Sequence, residues 1–582
     1  MIKTLAAQLK EFKLPSILTP FCMIGEVVCE MIIPVLMGNI VDYGINGGDM
    51  GYILKTGIVM ILVAILGLIS GCLGAYFGSK ASTGFARNLR KAMFDNIQKY
   101  SFANIDKFST SGLVTRLTTD VTNIQNAYMM MLRMAMRAPA SMIIAMVMSF
   151  IISPRLATIY LCAVIFLGLI IVLLMGTTTK YFKQVFEKYD ALNESVQENV
   201  SAIRVVKSYV REEHENTKFA KAAENIYMMF VKAEKRMSYM MPINMATVYA
   251  CILLISWMGA HMIVSDTLTT GNLMSLLTYC MNILMSLMML SMIFVMITMS
   301  QASAKRIAEV IEEKSTLSNP ENPVMEVKDG SIKFNNAYFA YNKDSKEPVL
   351  KNINLDIKSG ETIGIIGGTG SAKSSLVNLI SRLYDVTDGS VEVGGIDVRK
   401  YDMEVLRNQV SVVLQKNVLF SGTILENLRW GDKEATDEEC KRACQLACAD
   451  EFIDRMPDGY DTYIEQGGNN VSGGQKQRLC IARALLKKPK ILILDDSTSA
   501  VDTATDAKIR KAFAEEIPDT TKLIIAQRIS SVQNCDRIIV MDNGQINGFD
   551  THENLLNNND IYREVYESQT GSSGDADFDE KV

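Results

Sequence analysis

The stretch Gly367-Gly368-Thr369-Gly370-Ser371-Ala372-Lys373-Ser374 decides the fold of the C-terminal half of this 582-residue chain. The apolar run 361–367 predicts a short buried strand, and the periodic segment 374–383 predicts a helix. A glycine-rich turn in that context exposes backbone N–H groups, which attract phosphate oxygens together with the helix N-terminus. Lys373 adds a positive charge, and the hydroxyl of Ser374, next to Ser375, can ligate Mg²⁺. The stretch therefore predicts a nucleotide phosphate loop, with an ordinary glycine turn as the alternative.

Two motifs downstream favour nucleotide binding over an ordinary turn. Asp495 closes an apolar run that begins at Ile491, a place where a carboxylate can hold Mg²⁺. Between the two lies Ser472-Gly473-Gly474-Gln475, in which Ser472 is placed to cap the following helix. Its glycines leave backbone N–H groups open to an anion. Together the motifs predict an ATP site that uses Mg²⁺.

These motifs, in this order, resemble those of the ABC transporter ATPase family, whose signature is a Ser-Gly-Gly-Gln loop shortly before the Mg²⁺-binding strand. The resemblance covers essentially the whole chain and implies ATP and Mg²⁺ as cofactors. It places Tyr341 against the adenine ring and makes Gln415 the residue that senses Mg²⁺ and contacts the membrane domain. It also places Asp502 at the end of a loop, 499–502, that crosses to a partner subunit.

Long uncharged segments in the N-terminal half predict a membrane domain. The chain is 21% charged, yet no charged residue lies between Lys55 and Lys80, and none lies in 267–304. A helix needs about 20 apolar residues to cross a bilayer. Four further segments complete six predicted spans: 15–45, 138–153, 156–179 and 237–265. The predicted domains are an all-α, six-helix, exporter-type membrane domain over 1–314, a linker over 315–325, an α/β P-loop ATPase domain with a helical subdomain over 326–570, and a disordered acidic tail over 571–582.

The distribution of Lys and Arg orients the predicted spans. These residues cluster before span one, between spans two and three, and between spans four and five, whereas the alternate loops are short and nearly free of them. The positive-inside rule then places both termini and the ATPase domain in the cytoplasm of a multi-pass protein, which we expect in a bacterial plasma membrane. The two cytoplasmic excursions resemble those of family exporters, with coupling helices at 102–115 and 202–209. Solvated amphipathic loops are the alternative.

Six spans and one ATPase domain make half a transporter, and three departures from the family pattern bear on its partner. Asp496 stands where hydrolysing relatives carry Glu, Gln527 where they carry His, and Ala372 where they carry Gly. A carboxylate misplaced by about 1 Å can cost roughly 10²-fold in rate, and Gln cannot shuttle a proton as His can. The family completes each ATP site with the partner's signature loop. The chain thus resembles the degenerate-site subunit of bacterial heterodimeric multidrug exporters; harmless drift with intact hydrolysis is the alternative.

The predicted membrane helices carry two candidate groups for contacting a substrate. Six methionines share one face of the sixth span, and flexible, polarizable Met suits a surface that accepts many shapes. They are Met281, Met285, Met288, Met292, Met296 and Met299. Glu26 and Glu30 lie one turn apart in the first span, where a carboxylate is costly and marks a functional candidate. For the methionines, the alternative is simple packing between helices. For the carboxylates, the alternatives are pairing with an Arg or Lys of another helix, or exposure to a wet vestibule.

Arg133 and Arg137 are expected at the cytoplasmic membrane edge.

Composition narrows the remaining function classes. The net charge is −5, and no basic, aromatic-rich surface predicts a nucleic-acid partner. The spans exclude a soluble ABC ATPase of nucleic-acid repair. A nucleotide-gated channel or regulator needs a charged pore lining, which the sixth span lacks. The pattern therefore favours an exporter of amphipathic small molecules, and a lipid or peptide exporter would share every motif.

Overall fold

The computed structural model describes residues 1–342, 345, 347–497 and 500–571. Ser499 of the predicted crossing loop and the predicted tail beyond residue 571 lie outside the described residues. The chain forms two compact units. One, the membrane unit, consists of Met1–Gln98 and Thr110–Glu313; the other, the ATPase unit, consists of Lys99–Ser109 and Lys314–Val582.

All regular secondary structure in the N-terminal half of the chain is helical. Its helices are α1 (Ile2–Ala6), α2 (Lys13–Asn39), α3 (Met50–Ile97), α4 (Phe102–Phe108), α5 (Thr110–Thr115), α6 (Val121–Ile152), α7 (Pro154–Ser201), α8 (Ile203–Ser208), α9 (Glu212–Met237), α10 (Met240–Val264) and α11 (Thr270–Glu312). Within the described residues, six helical segments are long and apolar enough to cross a membrane. The six predicted spans are therefore confirmed.

Close backbone approach and tyrosine hydroxyls hold the membrane helices together. A Cβ on Gly271 of α11 would lie 2.1 Å from the carbonyl oxygen of Gly38 in α2, so only glycine allows this contact. The buried hydroxyl of Tyr160 in α7 donates to the carbonyl of Leu276 at 2.8 Å. At the other end of α11, Arg306 donates its Nε to Oδ2 of buried Asp120 at 2.7 Å.

The first predicted coupling helix is shorter than expected. Helix α4 ends at Phe108, because Ser109 has a φ of 53° and breaks the helical hydrogen bonding. Residues 110–115 form α5, which continues into the third span, so the prediction of one element over 102–115 was wrong. At the second predicted position the structure has the short helix α8, and its coupling role stays a prediction.

In the residues that the structure describes, the ATPase unit contains three sheets and the remaining helices. Its strands are β1 (Ile332–Phe339), β2 (Leu350–Ile357), β3 (Thr362–Gly367), β4 (Asp388–Val393), β5 (Ile396–Asp397), β6 (Val410–Val413), β7 (Gly422–Thr423), β8 (Tyr463–Ile464), β9 (Ile491–Asp495), β10 (Thr521–Ile525), β11 (Arg537–Asp542) and β12 (Gln545–Asp550). Its helices after α4 are α12 (Lys373–Ile380), α13 (Met403–Gln409), α14 (Ile424–Leu428), α15 (Asp437–Leu446), α16 (Asp450–Ile453), α17 (Gly473–Leu485), α18 (Thr503–Glu516), α19 (His552–Asn558) and α20 (Asp560–Gly571).

The central sheet brings the chemistry-bearing motifs to one edge. Its strand order is β12-β11-β3-β10-β9-β6, and the four neighbours β3, β10, β9 and β6 run parallel. Parallel strands have their carboxyl ends at the same edge, which is where ligands bind in open α/β sheets. The phosphate loop follows β3, Gln527 follows β10, Asp496 follows β9 and Gln415 follows β6. The antiparallel sheet β2-β1-β4-β5 packs on this sheet through a second apolar core.

Candidate functional site

The phosphate loop lies between buried β3 and α12, as its sequence predicts. A Cβ at Gly367 would lie 2.3 Å from the carbonyl oxygen of Met541, so the loop begins where only glycine fits. Gly368, Thr369 and Gly370 are exposed. Lys373 donates its Nζ to the carbonyls of Gly367 at 2.8 Å and Gly368 at 2.9 Å. Partial burial lowers the pKa of Lys373, although nearby Asp495 and Asp496 oppose this.

Ala372 adopts a conformation that favours glycine. Its φ is 72° and its ψ is 25°, in the left-handed region, immediately before α12. A Cβ in this region crowds the following carbonyl oxygen and costs roughly 1–2 kcal/mol. The loop therefore keeps its shape despite the substitution and stores backbone strain at this residue.

Asp495 and Ser374 form the part of the site that fits a divalent cation. Asp495 is buried at the end of β9, and the hydroxyl of Ser374 hydrogen-bonds to its carboxyl group. Burial, aided by neighbouring Asp496, raises the pKa of Asp495. A carboxylate and a hydroxyl beside a phosphate loop are the oxygen ligands that Mg²⁺ uses in P-loop sites. The donor set therefore fits ATP with Mg²⁺, whose charge would stabilise the phosphates.

Asp496 is held by two amide side chains. Its Oδ2 accepts from Nε2 of Gln527 at 2.8 Å and lies 3.4 Å from Nε2 of Gln415. Residue 496 itself has a φ of 48°, which Asp tolerates better than most residues. The three predicted catalytic residues, Asp496, Gln527 and Gln415, are thus brought together at the carboxyl ends of three neighbouring strands.

Tyr341 stands between the phosphate loop and helix α4. About half of its surface is exposed, and its hydroxyl shares a 2.8 Å hydrogen bond with the buried hydroxyl of Ser375 in α12. Its ring meets that of Tyr384 edge-on, with centroids 5.1 Å apart. Tyr384 in turn donates its hydroxyl to Oδ2 of Asp106 in α4 at 2.8 Å. Burial and this carboxylate raise the pKa of Tyr384.

The signature residues form a capped helix start. The hydroxyl of Ser472 accepts from the backbone N–H of Gln475 at 3.3 Å, and the Gln475 side chain accepts from the Ser472 N–H at 2.9 Å. A Cβ on Gly474 would lie 2.7 Å from the carbonyl oxygen of Ala500, whereas Gly473 has more room. Asp502 caps α18 by accepting from the N–H of Thr505 at 2.9 Å, and this bond lowers the pKa of Asp502. The signature helix α17 packs against α14, α15 and β6.

Comparisons with known proteins identify the family. The sequence profile described as "ABC transporter transmembrane region" matches residues 16–288, and the one described as "ABC transporter" matches residues 350–499. An uncharacterized ABC transporter ATP-binding protein of Bacillus subtilis is 36% identical over 97% of this chain and 98% of its own length. One from Mycobacterium tuberculosis is 35% identical over 94% of each chain. The chain belongs to the ABC transporter family.

The solved structures add the fold of this ABC transporter. A bacterial Atm1-family ABC exporter, solved with ATP bound, has a TM-score of 0.81 and covers 96% of this chain and 99% of its own, at 23% identity. The predicted fold class, six membrane helices followed by an ABC ATPase domain, is confirmed. The family assignment makes the protein an ATP-hydrolysing transporter.

The membrane half of this transporter decides between the alternatives for the two carboxylates. The guanidinium of Arg137 in α6 donates to Glu26 at 2.7 Å and to Glu30 at 2.8 Å, both in α2, so they pair with an arginine of another helix. One arginine thus bridges two carboxylates that lie one turn apart. Of the predicted methionine stripe on α11, Met281, Met285, Met292 and Met299 are exposed. Met288 and Met296 are half-buried.

Two features of the ATPase unit were not predicted from the sequence. One is the chain of contacts from Tyr341 through Tyr384 to α4; the Tyr-Asp pair after the phosphate-loop helix was its only sequence signal. The other is a groove of about 350 Å³ between the segment after β6 and α17. Stacked rings of Phe420 and Trp430, 3.9 Å apart, form one wall. In the sequence, only the aromatic residues Phe420 and Trp430, which lie outside the predicted strands, pointed to this groove.

Proposed function

We propose that this chain is one subunit of a heterodimeric ATP-driven exporter of amphipathic small molecules, with a slow ATP site of its own. The observation that carries the proposal is the Asp496 carboxylate held by Gln527 and Gln415. In this proposal Tyr341, the loop 367–375 and Asp495 hold ATP with Mg²⁺. Ser472, Gly473, Gly474, Gln475 and Asp502 serve the nucleotide bound to the partner.

The chemistry at Asp496 supports slow hydrolysis. Attack on the γ-phosphate requires a positioned water and a group that accepts its proton. An oxygen that already accepts from two amide groups has less capacity to orient that water, and Asp is one methylene shorter than Glu. Gln527 has no titratable proton, so it can hydrogen-bond near the γ-phosphate but can neither carry charge nor relay a proton as His can.

The intact signature loop supports a working site in the partner. Ser472 and Gln475 form a reciprocal cap, which leaves the N-terminus of α17 with its dipole directed at an incoming phosphate. This chain combines a weakened phosphate-loop site with a complete signature loop. The combination is best explained by a partner that has a competent phosphate-loop site and a disturbed signature loop. Drift at Asp496 and Gln527 with hydrolysis intact remains the alternative that experiment must exclude.

The groove beside α17 supports a paired assembly. Three of its buried polar atoms have no hydrogen-bond partner among the described residues: Ser411 Oγ, Asn417 Oδ1 and Arg483 Nη1. Its rim also carries Lys416 and Lys487. Helix α8 exposes Val205 and is followed by the acidic residues Glu212, Glu213 and Glu215. We propose that the partner's equivalent of α8 fills the groove.

The exposed methionines of α11 support an amphipathic substrate. Their side chains are apolar, flexible and polarizable, and such surfaces adapt to ligands of different shape. A lipid or peptide exporter subunit is the second candidate, because it would use the same motifs. A regulatory or channel subunit is less favoured, because α11 carries no charged residue between residues 270 and 304.

Two experiments test this function. Affinity capture of the tagged chain from its native membranes should recover a second ABC half-transporter, and recovery of this chain alone would contradict the heterodimer. Inside-out vesicles that contain the captured complex should accumulate a fluorescent amphipathic dye only with ATP. Dye binding without ATP-dependent accumulation would favour a regulatory subunit instead.

A further inference from the structure

The cluster formed by Glu26, Glu30, Arg133 and Arg137, here called the charge cluster, is unusual for membrane-spanning helices. Arg137 is bound to both carboxylates, so this triad carries one excess negative charge. Arg133 lies one turn before Arg137 on α6 and restores neutrality. Among the described residues, Arg133 makes no ion pair within 4.0 Å. Charged side chains inside a membrane are costly and mark ligand pathways by default.

A cavity of about 420 Å³ is lined by this cluster. Its second wall is α3, which contributes the small residues Ala64, Gly67 and Gly71. A Cβ on Gly71 would lie 3.0 Å from Cδ of Glu26, so glycine lets the carboxyl group approach α3 at this position. Ile33 of α2 and Leu68 of α3 add apolar lining. Small-ligand sites commonly have volumes of about 300–1,000 Å³ and combine an apolar lining with a few polar groups.

Two atoms of the cluster lack a partner in this arrangement. Glu26 Oε2 and Arg133 Nε are buried and make no hydrogen bond among the described residues. A buried polar atom without a hydrogen bond costs roughly 1–3 kcal/mol. Both residues line the cavity, and the terminal torsion of Glu is soft, so rotation can direct the Glu26 oxygen toward an occupant. One atom accepts hydrogen bonds and the other donates them.

We propose that this cavity binds an amphipathic zwitterion, with its ammonium group at Glu26 and its anionic group at Arg133. The neutrality of the cluster decides the ligand class. A singly charged ligand would leave a net charge in a low-dielectric environment, whereas a zwitterion satisfies both unpartnered atoms and keeps the sum at zero. The small-residue wall of α3 would hold the apolar part. The proposal names a substrate class for the exporter and so rests on the proposed function.

Binding of three matched dipeptides tests the ligand class. The full chain, in nanodiscs of phosphatidylglycerol without nucleotide, is titrated with leucyl-leucine, its C-terminal amide and its N-acetyl derivative. These probes share one apolar body and are a zwitterion, a cation and an anion. We expect leucyl-leucine to bind about tenfold more tightly than either derivative, because each lacks one charge-assisted contact. Equal binding of all three, or no binding of leucyl-leucine, would overturn the proposal.

Variants that remove one charge each assign the contacts. Glu26→Gln should lower the affinity for leucyl-leucine to that for the N-acetyl derivative, and Arg133→Met should lower it to that for the amide. Glu224→Gln in α9 and Arg155→Met at the start of α7 remove the same charges from exposed positions and should leave affinity unchanged. Zwitterion preference that survives both cluster variants would contradict the site.

A lipid headgroup and a soluble amphiphile can present the same zwitterion, and a second arm separates these sources. Replacing half of the phosphatidylglycerol by phosphatidylethanolamine should weaken dipeptide binding if the lipid headgroup is the ligand. Unchanged binding identifies a soluble amphiphile. Because no ATP or partner is used, failure of this binding leaves the exporter and its slow site untouched, and failure of transport leaves the binding result intact.

Discussion

Ala372 adopts a left-handed conformation in the phosphate loop that its methyl group disfavours. The sequence predicts the loop from its spacing, and it predicts that Ala adds bulk. It does not reveal that residue 372 has a φ of 72°, because the left-handed conformation is imposed by the turn into α12. The positive φ of Asp496 and the two amides around its carboxylate were likewise invisible, because they depend on three strands that are distant in sequence meeting at one edge.

Relief of that backbone strain should be measurable. We expect Ala372→Gly to stabilise the nucleotide-free ATPase unit by about 1 kcal/mol, which corresponds to a rise of roughly 2–4 °C in melting temperature. Fluorescence of Trp430, one of only two tryptophans, can report this unfolding. Ala507→Gly, at an exposed position inside α18, is the control and should destabilise by about 1 kcal/mol. A lower melting temperature for Ala372→Gly would show that the loop is unstrained.

The raised pKa of Asp495 gives stability a defined pH dependence. A carboxyl group whose pKa is higher in the folded state holds its proton more tightly when folded. Its contribution to stability therefore falls as the pH rises from the unfolded value, about 3.9, through the raised folded value. In EDTA, Asp495→Asn should melt higher than the wild type at neutral pH, with a gap that narrows toward pH of about 4. The variant should also lose stabilisation by Mg²⁺ with ATP. A pH-independent gap would contradict the burial argument.

Helix α4 shows which properties of an element the structure adds to the sequence prediction. Its position in the ATPase unit follows from specific bonds: Asn104 donates to the carbonyl of Lys314 at 3.1 Å, and Asp106 accepts from Tyr384 at 2.8 Å. The sequence indicated a coupling helix near residue 102 from its place between spans. Its end at Phe108 could not be predicted, because no Gly or Pro marks Ser109 as the break.

The Tyr384 hydroxyl should matter for coupling and leave nucleotide binding intact. We expect Tyr384→Phe to keep ATP affinity, because the ring packing on Tyr341 remains, and to reduce stimulation of the ATPase by transported substrate in the paired complex. ATP binding and substrate-stimulated hydrolysis measured side by side check this. Tyr463→Phe, on an exposed ring, is the matched control. Equal loss of ATP affinity and stimulation would point to a general packing defect.

The ion pairs of Arg137 in α6 with Glu26 and Glu30 in α2 should stabilise the membrane unit by neutralising the two carboxylates. Arg137→Met leaves two neighbouring carboxylates unpaired. Removing one partner of a fully buried pair costs about 3–5 kcal/mol, and the partial exposure of these groups places the expected loss at about 1–3 kcal/mol. Adding Glu30→Gln should recover part of it, because one repelling charge disappears. Thermal unfolding of the full chain in detergent measures both. Additive losses in the double variant would exclude the bridge.

For the whole molecule, the sequence predicts the order and type of the domains, but it does not predict the subunit with which the chain assembles. Uncharged segments and ordered motifs predict six spans and one ATPase domain because hydrophobicity and phosphate-loop chemistry are local properties. The pairing of Arg137 with Glu26 and Glu30 was one of several open alternatives, since spacing along α2 cannot show what α6 presents. A partner subunit leaves only indirect traces, namely the groove beside α17 and the mismatch between Asp496 and an intact signature.

ATP hydrolysis by the purified chain alone, in nanodiscs, tests whether the nucleotide site of this chain is slow. We predict little hydrolysis by the wild type. The double variant Asp496→Glu, Gln527→His should hydrolyse ATP at least roughly tenfold faster, because the restored base and proton carrier then act with intact signature loops. Ser472→Ala in that background should remove the gain. Brisk hydrolysis by the wild-type chain, unchanged by the double substitution, would show that its own nucleotide site is not degenerate.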